Sequence, residues 1–206
     1  MNNTMYKTIV FMVVLVVVLL LFGISKMTGN VTMTGGASGI DDDQGAVVKL
    51  VTSEGDILIE LYTKEAPITV NNFLEYVKSG TYDGTVFHRV ISGFMIQGGG
   101  FIQDGSQKPT NAPIELESNN GLSNKIGYVA MARTNIQDSA TSQFFINTNN
   151  NIPLDYSEGN PGYAVFGKVV EGMDVVKKIE ASETSTREMM KDWPVKDVVI
   201  ISAEVI

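Results

Sequence analysis

Apolar and polar positions divide this chain into three regimes. The first is an unbroken apolar run of 14 residues from Ile9 to Phe22, IVFMVVLVVVLLLF, after a short polar start at 1–7. Within residues 8–25, the 17 residues from Thr8 to Ile24 would span roughly 25 Å as a helix at about 1.5 Å per residue. That is short for a bilayer core of about 30 Å and long for the core of a signal peptide. The run predicts one hydrophobic helix, either a retained single-helix membrane anchor with an extracytoplasmic domain or the signal of a cleaved, exported form. The anchor is the first choice, since Lys26 follows Ser25 at once and no A-x-A pattern is present. In the second regime, residues 26–45, Gly, Ser, Thr and Asp dominate without periodicity, as expected of a flexible linker.

The third regime, 46–206, is regular. VVKLVTS and ILIELY flank Glu54-Gly55-Asp56 and predict a β-hairpin. Pro67 opens a helix in which Val70, Phe73, Leu74 and Val77 share one face, and Gly80 ends it. Short apolar runs follow at 86–91, 94–97, 128–132, 143–147 and 163–170, separated by Gly- and Asn-rich loops. A second amphipathic helix fits Met173 to Ile179, and DVVIISAEVI (197–206) reads as a last strand. Many short strands with two helices predict a mainly β (α+β) domain, an antiparallel barrel or sandwich with helical caps.

Composition narrows the chemistry. The chain has no cysteine and one histidine, His88, which excludes thiol nucleophiles, disulfides, thiolate metal sites and His-pair metal sites. Asp41-Asp42-Asp43 lacks the spacing of a calcium loop and reads as a solvated face, so no metal site is expected. Gly98-Gly99-Gly100 is not followed by the lysine of a phosphate loop, and no cofactor is expected. From residue 41 onward there are 13 basic and 23 acidic residues, a net −10 that argues against nucleic acid as a partner.

The informative stretch is Phe87-His88-Arg89-Val90-Ile91-Ser92-Gly93-Phe94-Met95-Ile96-Gln97-Gly98-Gly99, two strand-like pieces joined through Ser92-Gly93. An arginine inside an apolar strand either sits on an exposed edge or is paired, because burying it alone costs several kcal/mol. This stretch is similar to the central signature of the cyclophilin family of peptidyl-prolyl cis–trans isomerases. The similarity continues in order through Asn119 to Leu122, Gly127 to Thr134, Ser139 to Asn147 and Tyr163 to Met173. Met131-Ala132-Arg133-Thr134 is closer to the prokaryotic branch.

The resemblance implies an eight-stranded antiparallel barrel capped by two helices, and isomerase activity on proline-containing polypeptides during folding. It assigns Arg89 as catalytic and Gln97 as the residue holding it. Phe94, Met95, Phe145 and Leu154 become the proline pocket, Ala132 and Arg133 the edge that reads substrate backbone, and Gln143 a neighbour on the same groove. Tyr163 stands where many eukaryotic members carry histidine. Ile152-Pro153-Leu154 replaces a Trp-Leu found in many members, and Trp193 lies too far downstream to substitute, so only weak cyclosporin binding is expected. His88, one residue from Arg89, would point to the opposite face of the strand and is read as a core residue rather than an acid or base. The competing reading from another class is a membrane-tethered module that holds proline segments without turnover.

Overall fold

A computed structural model describes residues 45–206; residues 8–25, with the helix expected there, and the linker up to Gln44 lie outside the described residues. The expected hairpin forms from β1 (Val47–Thr52) and β2 (Gly55–Leu61), whose alternate residues Val48, Leu50, Ile57, Ile59 and Leu61 are fully buried. The helix α1 (Pro67–Lys78) follows, with proline in its first turn where a missing N–H costs nothing. Val70, Phe73 and Val77 on its apolar face are buried, while Leu74 is only half-buried. Phe73 meets Tyr82, Phe144 and Phe166 at ring-centroid distances of 5.0 to 5.5 Å.

The remaining strands are β3 (Arg89–Ile91), β4 (Met95–Gly98), β5 (Tyr128–Met131), β6 (Phe144–Asn147), β7 (Val165–Glu171) and β10 (Ile200–Val205). Between β7 and β10 come α2 (Met173–Glu180) and a two-stranded ribbon, β8 (Thr184–Arg187) and β9 (Met190–Pro194). The eight main strands form one antiparallel sheet in the order β10-β1-β2-β7-β5-β6-β4-β3. Bonds between residues 84–87 and 198–200, among them Phe87 N–H to the Val198 carbonyl and Ile200 N–H to the Thr85 carbonyl, curl the ends together. The run at 86–91 is thus split, with Val86 and Phe87 closing the barrel and only Arg89–Ile91 pairing with β4.

Two apolar clusters result. The interior holds Ile96, Val129, Met131, Phe144, Ile146 and Phe166, covered by Val176 and Ile179 of α2. The alternate residues of the same strands, Met95, Ala130, Phe145 and Val165, form a second buried cluster outside the barrel wall. Strands buried on both faces need continuous apolar runs, which is why YVAM and FFIN show no alternation. That outer cluster floors the site.

The β8–β9 ribbon was not expected from sequence. Its strands are largely polar, β8 is mostly exposed, and its left-handed residues are Glu188 (φ 54°) and Asp192 (φ 62°), not glycine or asparagine. The ribbon buries Trp193 completely, and Trp193 Nε1 donates to Asp197 at 2.8 Å. Arg187 lies 4.5 Å over the indole and pairs with Asp197 at 3.0 Å. Among the described residues no helix is long and apolar enough to cross a membrane.

Candidate active site

Strand register assembles the site. Arg89 pairs with Gln97 across β3 and β4, Gln97 with Phe145 across β4 and β6, and Phe145 with Ala130 across β6 and β5. Directly opposed residues share a face, so this row lies on the outer wall, with Met95 opposite Ile91 in a parallel row. A slip of one residue would turn every one of these side chains into the core, where the interior set leaves no room. The turn between β3 and β4 is clamped as well. Gly93 (φ 74°) supplies its left-handed residue, its N–H donates to Glu180 Oε1 at 2.8 Å, and Asn149 Nδ2 donates to its carbonyl at 2.9 Å. Burial pushes the Glu180 carboxyl up, but hydrogen bonds from Lys177, Thr148 and the Gly93 N–H outweigh it and hold the group below its ordinary value.

Above this wall lies a cavity of about 110 Å³ lined by Arg89, Phe94, Met95, Gln97, Ala132, Arg133, Phe145, Leu154 and Tyr163. Nine of the ten residues singled out in the sequence therefore converge on one space. The tenth, Gln143, is not in the lining. It stands directly behind it, accepting a hydrogen bond from Gln97 Nε2 at 2.9 Å. That donation turns Gln97 Oε1 toward Arg89, whose Nη1 lies 3.5 Å away. Gly100 is needed here because a Cβ would stand 2.6 Å from Gln143 Cγ, so the glycine run makes room for this amide. Phe145 meets Tyr163 edge to face at 5.6 Å, and the Arg133 guanidinium lies 4.6 Å over the tyrosine ring. Lining of this kind offers an apolar seat with hydrogen-bond donors along one lip.

His88 is only 5% exposed and packs against Phe101 (4.7 Å) and Trp193 (6.0 Å) on the face away from the cavity. Burial pushes its imidazole down to about 4, outweighing hydrogen bonds with Val86 and Gln143 that act to raise it, and the adjacent Arg89 charge adds a smaller push downward. Trp193 belongs to this packing and not to the cavity.

Sequence reasoning missed the supports of the pocket walls. Asn151 Nδ2 donates to the Phe94 carbonyl at 2.8 Å and to Asn147 Oδ1 at 2.7 Å, while Asn147 Nδ2 reaches Asn124 Oδ1 at 3.2 Å. Asn124 Nδ2 in turn donates to the Leu154 carbonyl at 3.2 Å, and its N–H to Asp155 at 2.7 Å. Burial raises Asp155, but the Asn124 and Ser123 hydrogen bonds prevail and hold its carboxyl below the usual range. The run Asn147-Thr148-Asn149-Asn150-Asn151 is the available signal: its first residue ends a strand-like run, and the rest reads as loop. Asp192 was missed too, and its Oδ2 stands 3.9 Å from Arg89 Nε.

The antiparallel barrel thus carries, on its outer wall, an apolar seat beside a permanently charged guanidinium. Residues 47–205 match the family model for cyclophilin-type peptidyl-prolyl cis-trans isomerases. The chain is 55% identical over 164 residues to peptidyl-prolyl cis-trans isomerase cyp18 of Streptomyces antibioticus, covering 78% of this chain and 99% of that protein. It is 50% identical over 162 residues to peptidyl-prolyl cis-trans isomerase B of Escherichia coli K12, covering 77% and 99%. A crystal structure of a Cryptosporidium parvum cyclophilin-type isomerase, determined in the presence of the dipeptide ala-pro, superposes with a TM-score of 0.65 at 26% identity, covering 78% of this chain and 98% of that one. The chain belongs to the cyclophilin family and is a peptidyl-prolyl cis–trans isomerase.

Proposed function

We propose that Arg89 is the catalytic donor, held by Gln97, and that the cavity seats the proline ring of folding client proteins. A prolyl peptide bond rotates slowly because amide resonance opposes twisting, with a barrier of roughly 18–20 kcal/mol. Phe94, Met95, Phe145 and Leu154 clamp the pyrrolidine, and Ala132 and Arg133 fix the chain beside it. Arg89 donates toward the prolyl nitrogen and the adjacent carbonyl as the bond leaves planarity, so the guanidinium binds the twisted state better than the planar one. Arginine suits this role because it stays charged at any working pH and its planar fork is oriented before substrate arrives. The observation that carries this reading is the register that sets Arg89 and Gln97 side by side on the lip of the apolar seat.

Residues 8–25 hold the enzyme in a membrane with the barrel on the extracytoplasmic side, and a cleaved, exported form is the second choice. The unbroken apolar run of 14 residues supports this placement. Partition of the protein from its native cells, with sequencing of its N-terminus, tests it. Met1 or Asn2 retained in the membrane fraction is expected, a start near Lys26 indicates the cleaved form, and a soluble chain with an intact N-terminus contradicts both. Exchange spectroscopy on an Ala-Pro peptide tests the groove. Binding without faster exchange would favour a holding module over an enzyme.

A further inference from the structure

We propose that Arg133 makes this groove selective for client segments that carry an acidic residue next to the proline. The proposal rests on the reading of the cavity as the proline seat. Arg133 lines that cavity, and its guanidinium is already fixed from three sides. Nε donates to the Gly162 carbonyl at 2.9 Å, Nη1 donates to the Thr134 carbonyl at 2.8 Å, and the plane lies 4.6 Å over the Tyr163 ring. These contacts use two of its five N–H donors and set its charge against a ring face and carbonyl oxygens, with no carboxylate opposite it. Among the described residues Arg133 forms no ion pair, whereas Arg89 has Asp192 at 3.9 Å.

The surroundings sharpen the point. The cavity lining holds two guanidinium groups and no carboxylate, in a chain that carries a net −10 from residue 41 onward. The lining is therefore locally positive on an acidic protein, and although Asp192 stands beside Arg89, an acidic side chain that reaches Arg133 meets no carboxylate in the lining. The ring contact leaves the charge without an ionic partner, and a guanidinium already held in place loses little freedom on pairing with a carboxylate.

The magnitude follows from exposure, since Arg133 is half-buried and screened by solvent. A partly exposed ion pair corresponds to about a two- to fivefold preference at low salt. The test compares acetylated, amide-capped peptides that differ only as Glu-Pro against Gln-Pro, and Pro-Glu against Pro-Gln, with Ala-Pro as reference. For each, kcat/KM is measured by exchange spectroscopy at about 20 mM and about 300 mM salt, where screening weakens such pairs. In the native chain one of the two Glu peptides should exceed its Gln partner about two- to fivefold at low salt, and the gap should close at high salt. In Arg133→Gln the Glu-to-Gln ratio should fall to about one, and in Arg133→Lys part of it should return. The ratio within each variant is the readout, so a change in overall rate does not confuse it. If Arg133→Gln does not fold, the salt response of the native chain and the Arg133→Lys ratio decide. Equal Glu and Gln rates in the native chain, or a preference that survives Arg133→Gln, overturn the proposal while leaving Ala-Pro catalysis intact. Failure to accelerate Ala-Pro would overturn the isomerase reading of the groove, and this proposal with it.

Discussion

Replacing His88 by glutamine separates packing from chemistry at the residue beside the proposed catalytic arginine. The imidazole is 5% exposed, sandwiched near Phe101 and Trp193, and titrates at about 4 instead of 6.5. Its folded pKa is lowered, so the unfolded chain binds the proton more readily. Stability from this group is then complete above the unfolded value of 6.5 and is lost as pH falls toward the folded value of about 4. The offset of about 2.5 units predicts a loss of roughly 2 kcal/mol between about pH 7 and about pH 5, rising to roughly 3 kcal/mol near pH 4. The Asp155 and Glu180 carboxyls are held below their ordinary values, so their contribution is lost only under more acid conditions. The window between about pH 5 and about pH 7 therefore isolates His88. Urea denaturation of the domain formed by residues 45–206 across that window is the assay. The native domain should lose stability as stated, whereas His88→Gln should be nearly flat while keeping isomerase activity at neutral pH within a few-fold. Parallel pH profiles in the two proteins would refute the packing argument, and a loss of activity comparable to removing Arg89 would make His88 part of the chemistry.

Other predictions follow from the supports of the site. Asp192→Gly keeps a residue tolerant of φ 62° but removes the carboxylate near Arg89. Because both partners are about 41% exposed, kcat/KM should fall only about two- to fivefold at low salt, with stability unchanged or higher; an unchanged or faster rate would show that the carboxylate does not orient Arg89. Asn151→Ala strips the Phe94 carbonyl and Asn147 Oδ1 of a buried donor, which should destabilise the domain by about 1–3 kcal/mol in urea denaturation and raise KM as Phe94 loosens. Phe73→Ala, at the centre of the aromatic cluster, should cost about 3–5 kcal/mol with no specific effect on KM in the fraction that remains folded.

How much of this was legible in the sequence depended on what each residue's partner was. The β1–β2 hairpin and α1 were readable because their apolar positions follow the period of the element and their stops are local, at Gly55 and Gly80. The convergence of Arg89, Gln97, Phe145 and the other lining residues came from matching motifs, since pairing across strands distant in sequence is invisible to periodicity. The β8–β9 ribbon failed every local test: its turn uses Glu188 at φ 54°, and its one fully buried large side chain, Trp193, depends for its burial on His88 and Phe101 far upstream. The amide network of Asn124, Asn147 and Asn151 was missed for a related reason. Asparagine is so common in loops that its polarity suggests solvent, yet Asn124 and Asn147 are fully buried because each amide satisfies another. Gln143 illustrates an intermediate case, placed on the groove by resemblance but found one hydrogen bond behind it.

In the proposed mechanism Arg89 supplies the electrostatic stabilisation of the twisted prolyl bond. The most direct measurement is exchange spectroscopy on an Ala-Pro peptide with the native domain and with Arg89→Ala, alongside thermal unfolding of both. Catalysed exchange should fall by roughly 10²–10³ in Arg89→Ala, the loss expected for one preorganised donor, with unfolding little changed because the side chain is partly exposed and lies outside the core. Undiminished exchange in a folded Arg89→Ala domain would contradict it.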